Sequence, residues 1–90
     1  MRLASYELKT FMSACQTKSL YQTSVAMNIN KKDVIAIFND LEVRLGGALC
    51  QFNGDNIIFS YNAYQLEKEL TPVYKKLIFL ERLFNGELID

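Results

Sequence analysis

Ninety residues make one domain near the lower limit for independent folding, and an apolar content of 50% excludes a disordered chain. Ten basic residues balance ten acidic ones, so the chain lacks the basic excess with which nucleic-acid binders usually neutralise phosphate. There is no histidine, and Cys15 and Cys50 stand in no metal-ligand spacing, which excludes imidazole general bases, Ser-His and Cys-His pairs and the common zinc sites.

In chain order, the first expected element is a helix from Tyr6 to Thr17, whose apolar residues Leu8, Phe11, Met12 and Cys15 share one face, with Ser5 as its cap. Ser19-Leu20-Tyr21-Gln22 fits a capping box, the serine oxygen taking the amide of Gln22 and the Gln22 side chain reaching back. The helix it opens runs through Met27 and leaves through Asn28. Ile29 turns inward, and Asn30 caps a third helix with Asp33 in its first turn. Val34, Phe38, Leu41 and Leu45 form the buried stripe of that helix, which Gly46 and Gly47 end.

Leu49 to Phe52 and Ile57 to Phe59 read as short strands around the turn Asn53-Gly54-Asp55-Asn56. From Asn62 to about Phe84 the pattern is helical again. Leu66, Leu70, Val73, Leu77, Leu80 and Phe84 make a heptad seam, and Tyr74, Ile78, Phe79 and Leu83 add apolar surface beside it. That is more than one short domain covers, so a second chain is expected on the seam. Pro72 is expected to kink this helix or split it in two. The elements make a mainly α fold, a winged helix-turn-helix over residues 1–60, with a long C-terminal linker or dimerisation helix over 61–90 in the same domain.

The two cysteines are read as reduced thiols, small apolar side chains of a cytoplasmic protein; a disulfide between them is the other pairing the count allows. The N-terminus has no apolar h-region, and no apolar run approaches the roughly twenty residues of a membrane span. Asp33, Asp40 and Glu42 do not converge on one point and are read as surface charge, so no enzyme activity, metal or cofactor is expected.

Ser19-Leu20, the small pair Thr23-Ser24, the turn Ile29-Asn30, the run Leu41-Glu42-Val43-Arg44-Leu45-Gly46, Leu49-Cys50 and Asn53-Gly54 follow in one register, with no gap from about Leu8 to Ala63. Together they resemble the N-terminal winged helix-turn-helix of LysR-type transcriptional regulators. The run ending at Gly46 matches the Leu-Glu-x-x-Leu-Gly that closes that family's recognition helix. The ninety residues hold no counterpart of the family's large effector-binding domain.

The resemblance implies a dimeric DNA-binding transcriptional regulator whose third helix enters the major groove of double-stranded DNA. Lys31, Lys32 and Asn39 then carry most contacts, with Lys18, Ser19, Gln22 and Asn30 at phosphates. The homodimer forms through the seam from Leu66 to Phe84. The sequence departs from the family on the groove-facing side. Ile35 and Ala36 offer only apolar contact, Asp40 stands where arginine is usual, and the wing Phe52-Asn53-Gly54-Asp55-Asn56 lacks the family's arginines. These departures support an alternative: a degenerate winged helix that has lost DNA binding and acts through protein contacts. It would self-assemble through the face around Ile35, or pair with another regulator through its long helix.

Overall fold

The structure is a computed structural model and describes residues 4–86. The elements are α1 (Tyr6–Thr17), α2 (Leu20–Met27), α3 (Lys31–Leu45), β1 (Cys50–Asn53), β2 (Asn56–Phe59) and α4 (Tyr61–Phe84). This is the expected mainly α winged helix-turn-helix. The last four residues of the C-terminal helix expected over 61–90 lie outside the described residues.

Each helix begins where a short polar side chain takes an otherwise orphan amide. Ser5, Ser19, Asn30 and Ser60 accept from the N–H groups of Leu8, Gln22, Asp33 and Ala63 at 3.1, 3.1, 2.9 and 3.2 Å. Ser60 was not among the caps expected from sequence. The capping box at Ser19 is only half made: Gln22 is exposed, and the Ser19 amide instead donates to Thr17 Oγ1 at 3.3 Å. Asn28 and Gly46 leave α2 and α3 in the left-handed conformation, at φ 56° and 74°. Lys18 does the same after α1, at φ 54°, a conformation that costs a residue with a β-carbon about 1–2 kcal/mol. Its amide donates to the Ala14 carbonyl at 2.8 Å, and this sharp exit lets α2 start two residues later.

The core gathers Phe11, Ala14 and Cys15 of α1, Leu20 of α2, Val34 and Phe38 of α3, Leu49, Ile57, Phe59 and Ala63. Phe38 is fully buried, with its ring centroid 6.0 Å from Phe11, 6.1 Å from Phe59 and 6.1 Å from Phe52. Thr23 and Ser24 are buried where α2 packs closely, and their hydroxyls return to the Ser19 and Tyr21 carbonyls at 2.8 and 2.6 Å.

Four expectations are corrected or narrowed. Leu45 is 55% exposed rather than buried, because the stripe passes beyond the end of the core after Leu41. Ile35 is partly buried against the core, so the apolar face expected around it is only partly open. The strands extend one residue further into the turn, leaving a two-residue tip of Gly54 and Asp55 between Asn53 and Asn56. Gly54 holds φ 60° there, which glycine adopts without strain. Of the two outcomes expected at Pro72, the split does not occur: α4 is one helix of 24 residues. The carbonyl its ring leaves without a partner belongs to the exposed Lys68, where water can satisfy it. The Thr71 hydroxyl donates to the Glu67 carbonyl at 2.7 Å just before the proline.

Phe38→Ala is expected to lower unfolding free energy by about 3–5 kcal/mol. Leu45→Ala should change it by less than about 1 kcal/mol, since little area leaves water there. Urea denaturation followed by circular dichroism measures both.

Candidate nucleic-acid interface

The helix-turn-helix is α2, the turn Asn28-Ile29-Asn30, and α3. The Asn28 amide donates to the Val25 carbonyl at 3.1 Å and the Ile29 amide to Ser24 at 3.0 Å, which closes α2 before α3 starts. With Val34 and Phe38 held in the core, the opposite side of α3 faces outward. Lys32, Ala36, Asn39 and Val43, at spacings of four, three and four, form one exposed stripe. Val43 is 80% exposed and was not singled out in the sequence. Lys31 is exposed beside the stripe, its Nζ 5.6 Å from the centroid of the Tyr21 ring.

The seven expected contact residues are therefore not equivalent. Lys31, Lys32, Asn39 and Gln22 are exposed, and Lys18 is exposed with its Nζ 5.9 Å from the Tyr64 ring centroid. Asn30 is exposed, but its carboxamide oxygen already caps α3. Ser19 is buried, and its hydroxyl is in use at both ends, accepting from Gln22 and donating to Asp55 Oδ2 at 2.6 Å.

Asp55 lies in the wing turn as expected, but its bonds across the fold had no signal in the sequence. Besides the Ser19 bond, its Oδ1 accepts from the Tyr21 amide at 2.8 Å, and its carbonyl accepts from the Leu20 amide at 2.8 Å. A bridge between Ser19 and Asn56 and a bond from the Ile57 amide to the Lys18 carbonyl, 3.1 Å, complete the seam. The wing is thus fastened to the start of α2. The Ser19 hydroxyl, then the Tyr21 amide and the nearby Lys31 charge, hold the Asp55 carboxyl below its ordinary value of 3.8.

Glu42 is likewise structural. Its Oε2 accepts from the amides of Leu49 and Cys50 at 2.6 and 3.4 Å, tying the end of α3 to the root of the wing. Asp40 pairs with Arg44 one turn on, at 2.6 Å, with both side chains exposed. Both thiols are free. Burial, with Glu67 nearby, pushes Cys15 up to about 12, and burial with Glu42 pushes Cys50 up to about 11, so both stay protonated at neutral pH. Among the described residues no cluster of three or more Cys, Asp or Glu side chains suits a metal ion, and no helix is long and apolar enough to cross a membrane.

On α4 the expected seam divides. Leu66 and Leu70 pack against this chain's own core, while Val73, Leu80 and Phe84 are exposed, Phe84 at 73%. Glu81 is buried, accepting from the Ala4 amide at 3.3 Å, with Lys9 Nζ 3.5 Å away.

This arrangement is the fold of the DNA-binding end of LysR-type regulators. The chain superposes on full-length AphB, a virulence activator of Vibrio cholerae from the LTTR protein family, with a TM-score of 0.84 and 16% identity, covering 94% of this chain and 30% of AphB. It is similar to the CbnR DNA-binding domain in a DNA complex (TM-score 0.76, 10% identity, 93% of this chain and 98% of that one). CbnR is described as a LysR family transcriptional regulator. A full-length OxyR variant from Pseudomonas aeruginosa gives a TM-score of 0.76 at 12% identity, over 87% of this chain and 27% of OxyR. The chain spans roughly a third or less of these full-length regulators. No family model matches it, and no curated protein is similar to it in sequence.

A carboxyl with a lowered value stabilises the fold when ionised, so the wing fastening is intact above pH 3.8 and is lost as pH falls through the lowered value. An NMR titration of the side-chain carboxyls should place Asp55 below the ordinary range in the wild type. In Ser19→Ala it should move back up, since the strongest stabilising bond is gone.

Proposed function

We propose that the chain binds double-stranded DNA as a homodimer and regulates transcription. The observation that carries this reading is the exposed stripe Lys32-Ala36-Asn39-Val43 on the outer side of the second helix of a helix-turn-helix. The core holds that helix in a fold also seen in a DNA-bound domain. On this reading the stripe enters the major groove. Lys31 and Lys32 meet phosphate or guanine, and Asn39 is long enough to pair with adenine. Lys18 and Gln22 reach phosphates beside the wing. Ser19 and Asn30 contribute by placing the helix starts, because their side-chain oxygens are already in use.

The homodimer uses the far half of the α4 seam, the exposed Val73, Leu80 and Phe84 with the half-buried Leu77, while Leu66 and Leu70 anchor the helix to its own domain. The same exposed apolar surface, with Phe79 and Leu83 beside it, favours the second reading, in which α4 pairs with another regulator protein.

In a mobility-shift assay at low salt, Lys31→Ala/Lys32→Ala is expected to weaken binding about tenfold and to flatten the salt dependence, as two phosphate contacts are lost. Equal binding by wild type and double mutant would exclude α3 from the groove. Leu80→Lys is expected to turn a dimer into a monomer in sedimentation velocity, because a charge on the seam has no partner there. A monomeric wild type would remove the homodimer.

A further inference from the structure

The start of α2 lies where the wing meets the helix-turn-helix, and all of its free amides are consumed within the chain. Leu20 donates to the Asp55 carbonyl, Tyr21 to the Asp55 carboxylate and Gln22 to Ser19 Oγ. The anion at this junction is therefore already present, and it is part of the protein. It is also exposed, on the wing tip, and it accepts from the amide of Tyr21, the residue whose ring centroid lies 5.6 Å from Lys31 Nζ. The other acids near α3 are placed differently. Asp40 is offset by Arg44, Glu42 is turned to the wing root, and Asp33 lies by the α2–α3 turn with Asn28 and Asn30.

We propose that Asp55 is the residue that limits the affinity of this surface for DNA: a built-in carboxylate that takes the amides at the wing–α2 junction and opposes the Lys31 charge. The proposal rests on the DNA-binding reading above. Two consequences follow. A DNA phosphate approaching the junction meets a negative charge within a Debye length and finds no unpaired α2 amide. The same contacts fasten the wing, so a gain in affinity on removing the charge is accompanied by a loss of stability.

The test is fluorescence anisotropy of a labelled duplex of mixed sequence, titrated across about 50–200 mM salt, with melting temperature measured in parallel. Asp55→Asn and Asp55→Ser both remove the charge, and the asparagine keeps an oxygen for the Tyr21 amide. Glu69→Gln removes the same charge from an exposed position on α4. Ser19→Ala loosens the junction while leaving the Asp55 charge. Both Asp55 variants are expected to bind at least about threefold more tightly than wild type, with a salt slope steeper by about 0.9 and a lower melting temperature. Glu69→Gln and Ser19→Ala should bind no more tightly than wild type.

If wild type binds and the Asp55 variants only match Glu69→Gln, the limiting role is overturned while DNA binding stands. A gain in Ser19→Ala equal to that in Asp55→Asn also overturns it, since wing mobility rather than charge is then the cause. Binding by the Asp55 variants alone supports the role, with wild type held below detection. Binding by no variant removes both the role and the reading beneath it.

Discussion

Phe38 projects from α3 into a ring of aromatic side chains contributed by α1 and both wing strands, and the placement of α3 depends on that enclosure. Edge-to-face and tilted contacts at about 6 Å are directional, so they set the rotation of the helix as well as burying area. Once Phe38 and Val34 are committed to the core, the 3.6-residue period leaves Lys32, Ala36, Asn39 and Val43 on the outside. The outer surface is thus a consequence of the inner one. The wing is located by the same cluster, because Phe52 and Phe59 belong to it.

A second layer of order is electrostatic, and the acids carry it. Asp55, Glu42 and Glu81 each accept backbone amides, at the start of α2, the root of the wing and Ala4 respectively. Asp40 is paired with Arg44. Glu81 is buried and Glu42 half-buried, whereas Asp55 keeps its charge exposed on the wing tip. Lys18, Lys31 and Lys32 remain exposed. The carboxylates hold elements together, and the lysines are left for the outside.

The last helix shows the limit of a periodicity argument. A heptad pattern states that one side of a helix is apolar, without stating what covers it. Leu66 and Leu70 sit near the domain and are used by its core, whereas Val73, Leu80 and Phe84 lie further along and are exposed. Pro72 falls between these two groups, and the same helix still meets α1 further on, where Glu81 is buried beside Lys9. The proline stands in the chain without breaking the helix, since the carbonyl it deprives of a donor is on a solvent-facing turn.

The sequence alone determined the order and type of every element, because caps, left-handed exits and apolar spacing are local signals carried by a few neighbouring residues. Ser5, Ser19 and Asn30 mark helix starts, Asn28 and Gly46 mark ends, and Asn53-Gly54 marks the hairpin. Only the tertiary structure decided the roles of Leu45, Ile35, Glu42 and Asp55. Leu45 follows the buried period and is still exposed, since the core ends before it. Asp55 reads locally as an exposed turn acid, yet it caps a helix 34 residues away in sequence at Tyr21. Such roles are set by what lies across the fold, and distance through space has no signature in the spacing of residues along a chain.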